Sequence, residues 1–325
     1  MGKPNKHHFL PVFYLKAWAR ESDGKLVEFS RPYKDKLKTR FVHPEATGFI
    51  KRLYEIRGLS PELAQKVEET FFSPVDSQAA DALKQILEFK AGDPWKAGRR
   101  LAWTRFILSL LFRMPDDIRK LKANVRDDWI LSVPDMQERY AEVRRETDPE
   151  SLVDFLDQQE NSVYEQSAMD IAMRMIGHQN VARTILDMKW SLVELEKSPF
   201  QLLTSDRPVI MTEQLKRPDS HILLPVGPRH LFAAVQDPNH SRKLRRMTYQ
   251  QLATFVNRAV VGNANDLVYG RDESQFRFIE NRIGKDRRPS YLDRLQSRRR
   301  ELVLRKSETT VGRIRTAPGL SETSK

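Results

Sequence analysis

The stretch Gln201-Leu-Leu-Thr-Ser-Asp-Arg-Pro-Val-Ile-Met211 lies where the chain has changed period, and that change decides the fold class. From Ser60 to Met188 apolar residues recur at helical spacing. From Trp190 onward they gather into short runs, Trp190–Glu196, Gln201–Thr204, Val209–Met211, Ile222–Val226 and Leu231–Val235, separated by Asp, Pro and Gly. Short apolar runs punctuated by turn formers are the pattern of strands. Thr248-Tyr-Gln-Gln251 then has the capping-box spacing and opens a helix with Leu252, Phe255, Val256, Ala259 and Val260 inward. Leu267–Tyr269 reads as a last strand and Gln275–Ile283 as a last helix.

Toward the N-terminus, Lys25–Ser30 and Lys36–Val42 alternate apolar and polar residues around Pro32, which predicts a hairpin. Ser60-Pro61-Glu62 starts a helix expected to reach Phe72. A second is expected from Val75 to about Phe89, and a third opens at Asp93-Pro94 and stops at Pro115. Its segment Leu101–Phe112 is apolar nearly all round, which predicts a central, buried helix. Ile118, Leu121, Val125 and Trp129 continue on one face, and Pro134 and Pro149 divide two further helical stretches, with a break at Gly177. Strands, then helices, then strands is an α+β order: a central helical bundle packed with a mixed or antiparallel sheet built from the early hairpin and the late strands. The expected organisation is 1–59 (N-terminal motif and hairpin), 60–188 (helical), 189–284 (α/β) and 285–325 (basic, partly disordered tail).

The chain has 325 residues, 39% of them apolar and 31% charged, enough for a core and too apolar for wholesale disorder. It has no cysteine, which excludes disulfides, thiolate nucleophiles and cysteine-type zinc sites and fits a cytoplasmic protein. The apolar stretch Phe9–Leu15 is short and broken by Pro11, so no secretion signal is expected, and no run approaches the roughly 20 apolar residues of a membrane span. The net charge of +12 is unevenly placed: residues 1–40 carry +6, residues 271–325 carry +7, and the stretch between them is close to neutral. Lys3, Lys6, Arg287, Arg288, Arg298, Arg299 and Arg300 are therefore the expected phosphate contacts if the partner is nucleic acid.

Generic catalytic motifs are absent: there is no HExxH, P-loop, GxSxG or GxGxxG. His7-His8 stands before an apolar segment containing Pro11, Tyr14 and Leu15, and imidazoles suit proton transfer or metal ligation near neutral pH. Thr204-Ser205-Asp206-Arg207-Pro208-Val209 places a carboxylate at a strand end, where it can bind metal, act as a base or fix the turn. Arg113 ends the apolar helix and either caps its carbonyls or clamps an anion. Asn257, on an apolar helix face, is either a satisfied amide or a ligand contact.

In this order the pieces resemble a bacterial family catalogued as the domain of unknown function 4238. His7-His-Phe-Leu-Pro-Val-Phe-Tyr-Leu15 is similar to its opening segment, Arg113-Met-Pro115 to its helix end, and Trp190 and Thr204–Val209 to its later strand and turn. Leu224-Pro-Val-Gly-Pro228, Asn257 and Val268-Tyr269 complete a likeness over about residues 5–275. Val12 and Arg207 depart from the usual Gln and Asn of the family. The resemblance supplies no activity, but it implies that the His8 motif and the Asp206 turn belong to one site.

The leading expectation is thus a nucleic-acid-associated protein with nuclease-type hydrolase activity, in which His8 and Asp206 transfer protons or hold a divalent metal. Arg113 then neutralises phosphate, and Tyr14, Ser205, Arg207 and Asn257 position it. The rival is a non-enzymatic interaction module, with a protein partner among its options, in which the same residues tie the N-terminus to the sheet. An enzyme acting on a small phosphorylated substrate is the third reading.

Overall fold

Three antiparallel sheets and a layer of helices account for the chain in a computed structural model, which describes residues 6–33, 36–88, 96–239, 244 and 246–302. The fold is α+β, as the order of periods predicts. The early hairpin, β2 (Leu26–Ser30) and β3 (Lys38–Val42), joins the late strands β6 (Thr204–Ser205) and β10 (Leu267–Gly270) in one sheet of order β3-β2-β10-β6. The other late strands, β5 (Lys189–Glu194), β7 (Ile210–Met211), β8 (His221–Gly227) and β9 (His230–Val235), form a second sheet of order β5-β9-β8-β7. A two-stranded ribbon that the pattern does not announce pairs β1 (Lys6–His8) with β4 (Phe49–Lys51). Three residues are too few to display alternation.

By contact the chain divides into two compact units, residues 1–125 with 159–288, and residues 126–158 with 289–325. In the larger unit the Tyr249–Gly262 helix serves both four-stranded sheets. Leu252, Ala253, Val256 and Val260 pack with Leu223, Leu231 and Ala233 of the second sheet, while Val261 packs with Val27, Phe29 and Val268 of the first. The Ala97–Phe112 helix is buried on nearly every side, as expected, against the Ser73–Glu88, Asn161–Ile176 and Gln179–Asp187 helices. In the smaller unit the Val133–Val143 and Leu152–Asp157 helices close over Tyr140, Leu152 and Leu156, and Arg126 pairs with Asp157 at 2.7 Å.

The N-terminal motif locks the larger unit. Pro11 precedes the short Val12–Leu15 helix, and Tyr14 and Trp18 are wholly buried. Tyr14 Oη donates to the Pro225 carbonyl of the second sheet at 2.8 Å and bonds Thr204 Oγ1 of the first at 2.8 Å. Trp18 Nε1 donates to the Leu202 carbonyl at 2.9 Å. Gly48 receives the motif: its carbonyl accepts from the Phe9 and Leu10 amides, its φ is +64°, and a Cβ there would meet Leu10 at 3.1 Å. Only glycine suits both conditions.

The helix start expected at Asp93-Pro94 lies outside the described residues, the stretch after Pro149 is three helices, Leu152–Asp157, Asn161–Ile176 and Gln179–Asp187, and the last helix is shorter than expected, Phe276–Glu280. Two further differences have identifiable reasons. The helix expected from Ser60 to Phe72 is a short Pro61–Ala64 turn followed by a π-helical turn, Glu68–Phe72, which runs into the Ser73–Glu88 helix. Pro74 has no amide to donate one turn back, and its ring crowds the carbonyl there, so the helix widens ahead of it. Gln201–Thr204 is strand only at Thr204, because the Leu202 amide donates to the Pro228 carbonyl and the Leu203 amide to the Asn257 side chain instead of to a ladder. Pro115, besides ending one helix, opens the next, Pro115–Ile130.

Candidate functional site

Arg113 is the residue after the apolar helix, with φ −101° and ψ 0°, and its side chain is wholly buried. The guanidinium holds Asp76 with two bonds, Nη1 to Oδ1 at 2.7 Å and Nη2 to Oδ2 at 2.9 Å. Nη2 also donates to the His8 carbonyl at 2.6 Å, and the Phe72 ring lies 5.1 Å from the guanidinium carbon. Tyr54 Oη donates toward the same His8 carbonyl at 3.4 Å and the Arg113 carbonyl at 3.2 Å, with its ring stacked on Phe72 at 4.2 Å. Burial works against the guanidinium charge, but Asp76 foremost, with Tyr54 and Glu68, outweighs it and holds the proton more tightly than usual. The anion that Arg113 clamps is thus a carboxylate of the chain itself.

The two imidazoles of the motif are in different situations. His7 is wholly buried: its Nδ1 accepts from the Tyr54 amide at 3.0 Å, so Nε2 carries the proton and donates to Gln65 Oε1 at 2.6 Å. Gln65 in turn donates to Glu55 at 3.2 Å. His8 leans on Phe49 with ring centroids 5.4 Å apart, and its buried Nε2 has no hydrogen-bond partner among the described residues. Burial, then the Arg113 charge, lowers its pKa and favours the neutral ring. Glu68, in the π-helical turn, is the second underused group: Oε2 is buried without a described partner, and Ser73 approaches Oε1 only at 3.5 Å. Burial pushes its carboxyl up to about 7, with Arg113 pulling down and Asp76 adding to the rise. Both groups thus lie within the field of one fixed guanidinium, that of Arg113.

The turn at Asp206 is built differently. Oδ1 accepts from the Asn265 amide at 2.8 Å, and Oδ2 from the Asp266 and Leu267 amides at 2.7 and 3.0 Å. Burial raises this carboxyl to about 6, against the pull of the three amides. Asn265 Nδ2 donates to Asp116 at 2.9 Å. Ser205 Oγ donates to the Val260 carbonyl at 3.1 Å and accepts from the Arg207 amide at 3.1 Å, and Arg207 Nη1 donates to the Arg288 carbonyl at 3.0 Å. Asn257 uses its whole amide: Oδ1 accepts from Leu203, and Nδ2 donates to the Gln201 carbonyl and Gln275 Oε1.

The structure therefore brings His8 to Arg113, and gathers Asp206, Ser205 and Arg207 at the entry of β6 and β10. The carboxylate bonds of Asp206 go to the 265–267 turn rather than to His8 or Arg113. Asp76, Glu68 and Tyr54 are the site residues that sequence reasoning missed. The available signal was Pro74, which forbids a regular helix at that point and so removes Glu68 from an ordinary helical surface. Among the described residues no three His, Asp or Glu side chains converge as they would around a metal ion. Of the basic residues, Lys6 lies over the Phe49 ring at 4.6 Å, Arg287 donates to the Asn265 carbonyl, and the Arg288 amide bonds Asn263. Arg299 donates to the Asp128 carbonyl and the Ser132 hydroxyl, and Arg298 and Arg300 lie on a helix over 291–302. Lys3 and residues beyond Leu302 lie outside the described residues.

Among known families, one described as a protein of unknown function, DUF4238, has a model that matches residues 6–274. No curated protein and no solved structure matches the chain.

Proposed function

We propose, from the premise that the chain belongs to the DUF4238 family, that it is a cytoplasmic nucleic-acid-associated module whose family motifs hold the fold together. One observation carries this reading: apart from His8 Nε2, the polar side chains that the motifs place in the core are already used. Tyr14, Asp206 and Asn257 direct their bonds to backbone and neighbouring side chains, and the Arg113 clamp is filled by Asp76. The basic excess lies in residues 1–40 and 271–325, outside the near-neutral stretch between them, which supports phosphate contacts at the two ends of the chain. The absence of cysteine suits a reducing compartment, and among the described residues no helix is long and apolar enough to cross a membrane.

A hydrolase centred on His8 is the second reading, favoured by Nε2 of His8 and Oε2 of Glu68, neither of which has a partner among the described residues. Substitution separates the two. In the module, Asp206→Ala lowers the melting temperature and His8→Ala leaves the affinity for nucleic acid unchanged. Cleavage of RNA or DNA by the wild type that disappears in His8→Ala, with stability retained, establishes the hydrolase instead. Affinity for nucleic acid should fall steeply with salt, with a log–log slope of about −0.9 per duplex phosphate contacted. A wild-type protein that binds neither RNA nor DNA at low salt refutes the nucleic-acid reading.

A further inference from the structure

The strand β3 is the outer member of the sheet β3-β2-β10-β6, with β2 beside it and no strand among the described residues on its other side. None of its residues is buried: Lys38, Arg40 and Phe41 are exposed, and Thr39 and Val42 are half-buried. Every second residue of an edge strand turns its N–H and C=O groups outward, which makes the edge a template for one more extended chain.

The register against β2 sorts the side chains of this edge. Lys38 and Arg40 stand opposite Ser30 and Glu28 on one face, and Thr39 and Phe41 stand opposite Phe29 and Val27 on the other. The first face is positive. Arg40 is held by the buried Glu28 at 2.6 Å yet keeps 63% of its side chain exposed, while Lys38 and the exposed Lys36 form no ion pair with a described residue. The Lys38 ammonium lies 4.6 Å from the Tyr33 ring centre, a contact that positions the charge without neutralising it. On the second face Val27 and Phe29 belong to the core, and Phe41 at its margin is 42% exposed.

We propose that the outer edge of β3 binds an extended acidic segment of a partner protein, added to the sheet as a further strand, in which acidic residues alternate with apolar or β-branched ones. Such a segment has the same period of two as β3. Its acids fall on the face of Lys38 and Arg40, with Lys36 next in line, and its apolar residues fall on the face of Phe41. Backbone hydrogen bonds along the edge supply affinity, and the contrast between the two faces supplies selection. A second copy of the chain does not fit. Antiparallel pairing of β3 with itself about a two-fold axis puts Lys38 and Arg40 on one face with the same residues of the copy, and like charges opposed across a strand pair are destabilising. A nucleic acid answers the lysines through phosphate but has no strand backbone to pair with the edge. The proposal stands apart from nucleic-acid association and goes beyond it.

The test uses the full chain and fluorescence anisotropy with labelled peptides of about seven residues: alternating Glu and Val, the same composition with its Glu residues in one block, and alternating Lys and Val. The alternating Glu/Val peptide should bind at least about tenfold more tightly than the blocked peptide of equal charge. Lys36→Glu with Lys38→Glu should reverse the preference, weakening the Glu/Val peptide by at least about tenfold and admitting the Lys/Val peptide, at an unchanged melting temperature. If charge reversal lowers the melting temperature, Lys36→Ala with Lys38→Ala repeats the comparison, with a loss of at least about threefold expected. Methylating the amide nitrogens of alternate residues in the Glu/Val peptide separates strand addition from charge attraction. One alternate set should abolish binding and the other leave it, since only every second amide faces the edge. Equal affinity for the alternating and blocked peptides, or equal effects of the two methylated sets, reduces the contact to charge and overturns the proposal. A wild type that binds none of the peptides, but loses affinity for oligothymidylate on Lys36→Glu with Lys38→Glu, gives the edge to nucleic acid and overturns it too. Absence of peptide binding alone does the same and leaves nucleic-acid association untouched.

Discussion

Replacing Glu68 with Gln removes one titration from the polar cluster without changing its shape, so comparison of the two proteins isolates the effect of that carboxyl. Burial raises the folded-state pKa to about 7 from the ordinary 4.5, with Asp76 adding to the rise and Arg113 opposing it. The folded protein therefore keeps a proton that the unfolded chain has already released. For a raised acid, that contribution is fully present below about pH 4.5 and is lost as pH rises through about 7. At about 1.36 kcal/mol per unit, the difference between the two values corresponds to about 3 kcal/mol. Urea unfolding followed by tryptophan fluorescence, across a pH series from about 4 to 8, measures it. Wild type and Glu68→Gln should be nearly equal at the acidic end, and the Gln variant should be more stable by about 3 kcal/mol at the alkaline end. Parallel curves would show that Glu68 titrates alike in the folded and unfolded chain. A Gln variant that is the weaker protein at about pH 8 would show an ionised Glu68 supporting Arg113, and either result refutes the reasoning.

Other expectations follow from the same contacts. Asp206→Ala removes the acceptor of three part-buried amides at the 265–267 turn and should cost about 1–3 kcal/mol, with Asp206→Asn costing less, as read by urea unfolding. Asp76→Ala leaves Arg113 buried and unpaired and should cost about 3–5 kcal/mol, while the double change Asp76→Leu with Arg113→Met should recover part of that loss in a double-mutant cycle. Gly48→Ala forces a left-handed backbone and a contact with Leu10, so thermal unfolding should show a loss of about 1–3 kcal/mol. Tyr14→Phe removes the hydroxyl shared by the two sheets and should cost about 1–2 kcal/mol by the same assay.

The elements with strong local period were legible in the chain. Leu101–Phe112 is apolar nearly all round and is the central helix, because a helix with no polar stripe can be satisfied only by surrounding protein. Thr248 and Gln251 announced their capping box, in which both side chains bond to each other's backbone amide. The early hairpin was likewise visible, although its pairing with β10 was a matter of fold order rather than of any one residue. The π-helical turn was hidden because its cause, Pro74, lies beyond the segment it distorts.

The candidate site divides along a similar line. Residue type and spacing alone selected His8, Arg113, Asp206 and Asn257 as polar groups embedded in packing motifs, and placed the positive charge at the two ends of the chain. Which of those groups retains free bonding capacity was decided by tertiary structure. Asp206 is committed to amides some 60 residues away, and Arg113 to an aspartate 37 residues before it. Of the two neighbouring imidazoles, packing gave partners to both ring nitrogens of His7 and left Nε2 of His8 without one among the described residues. Chemistry is written in the residue, but whether a polar atom is spent or available depends on what the folded chain brings within about 3 Å of it, and no local pattern encodes that.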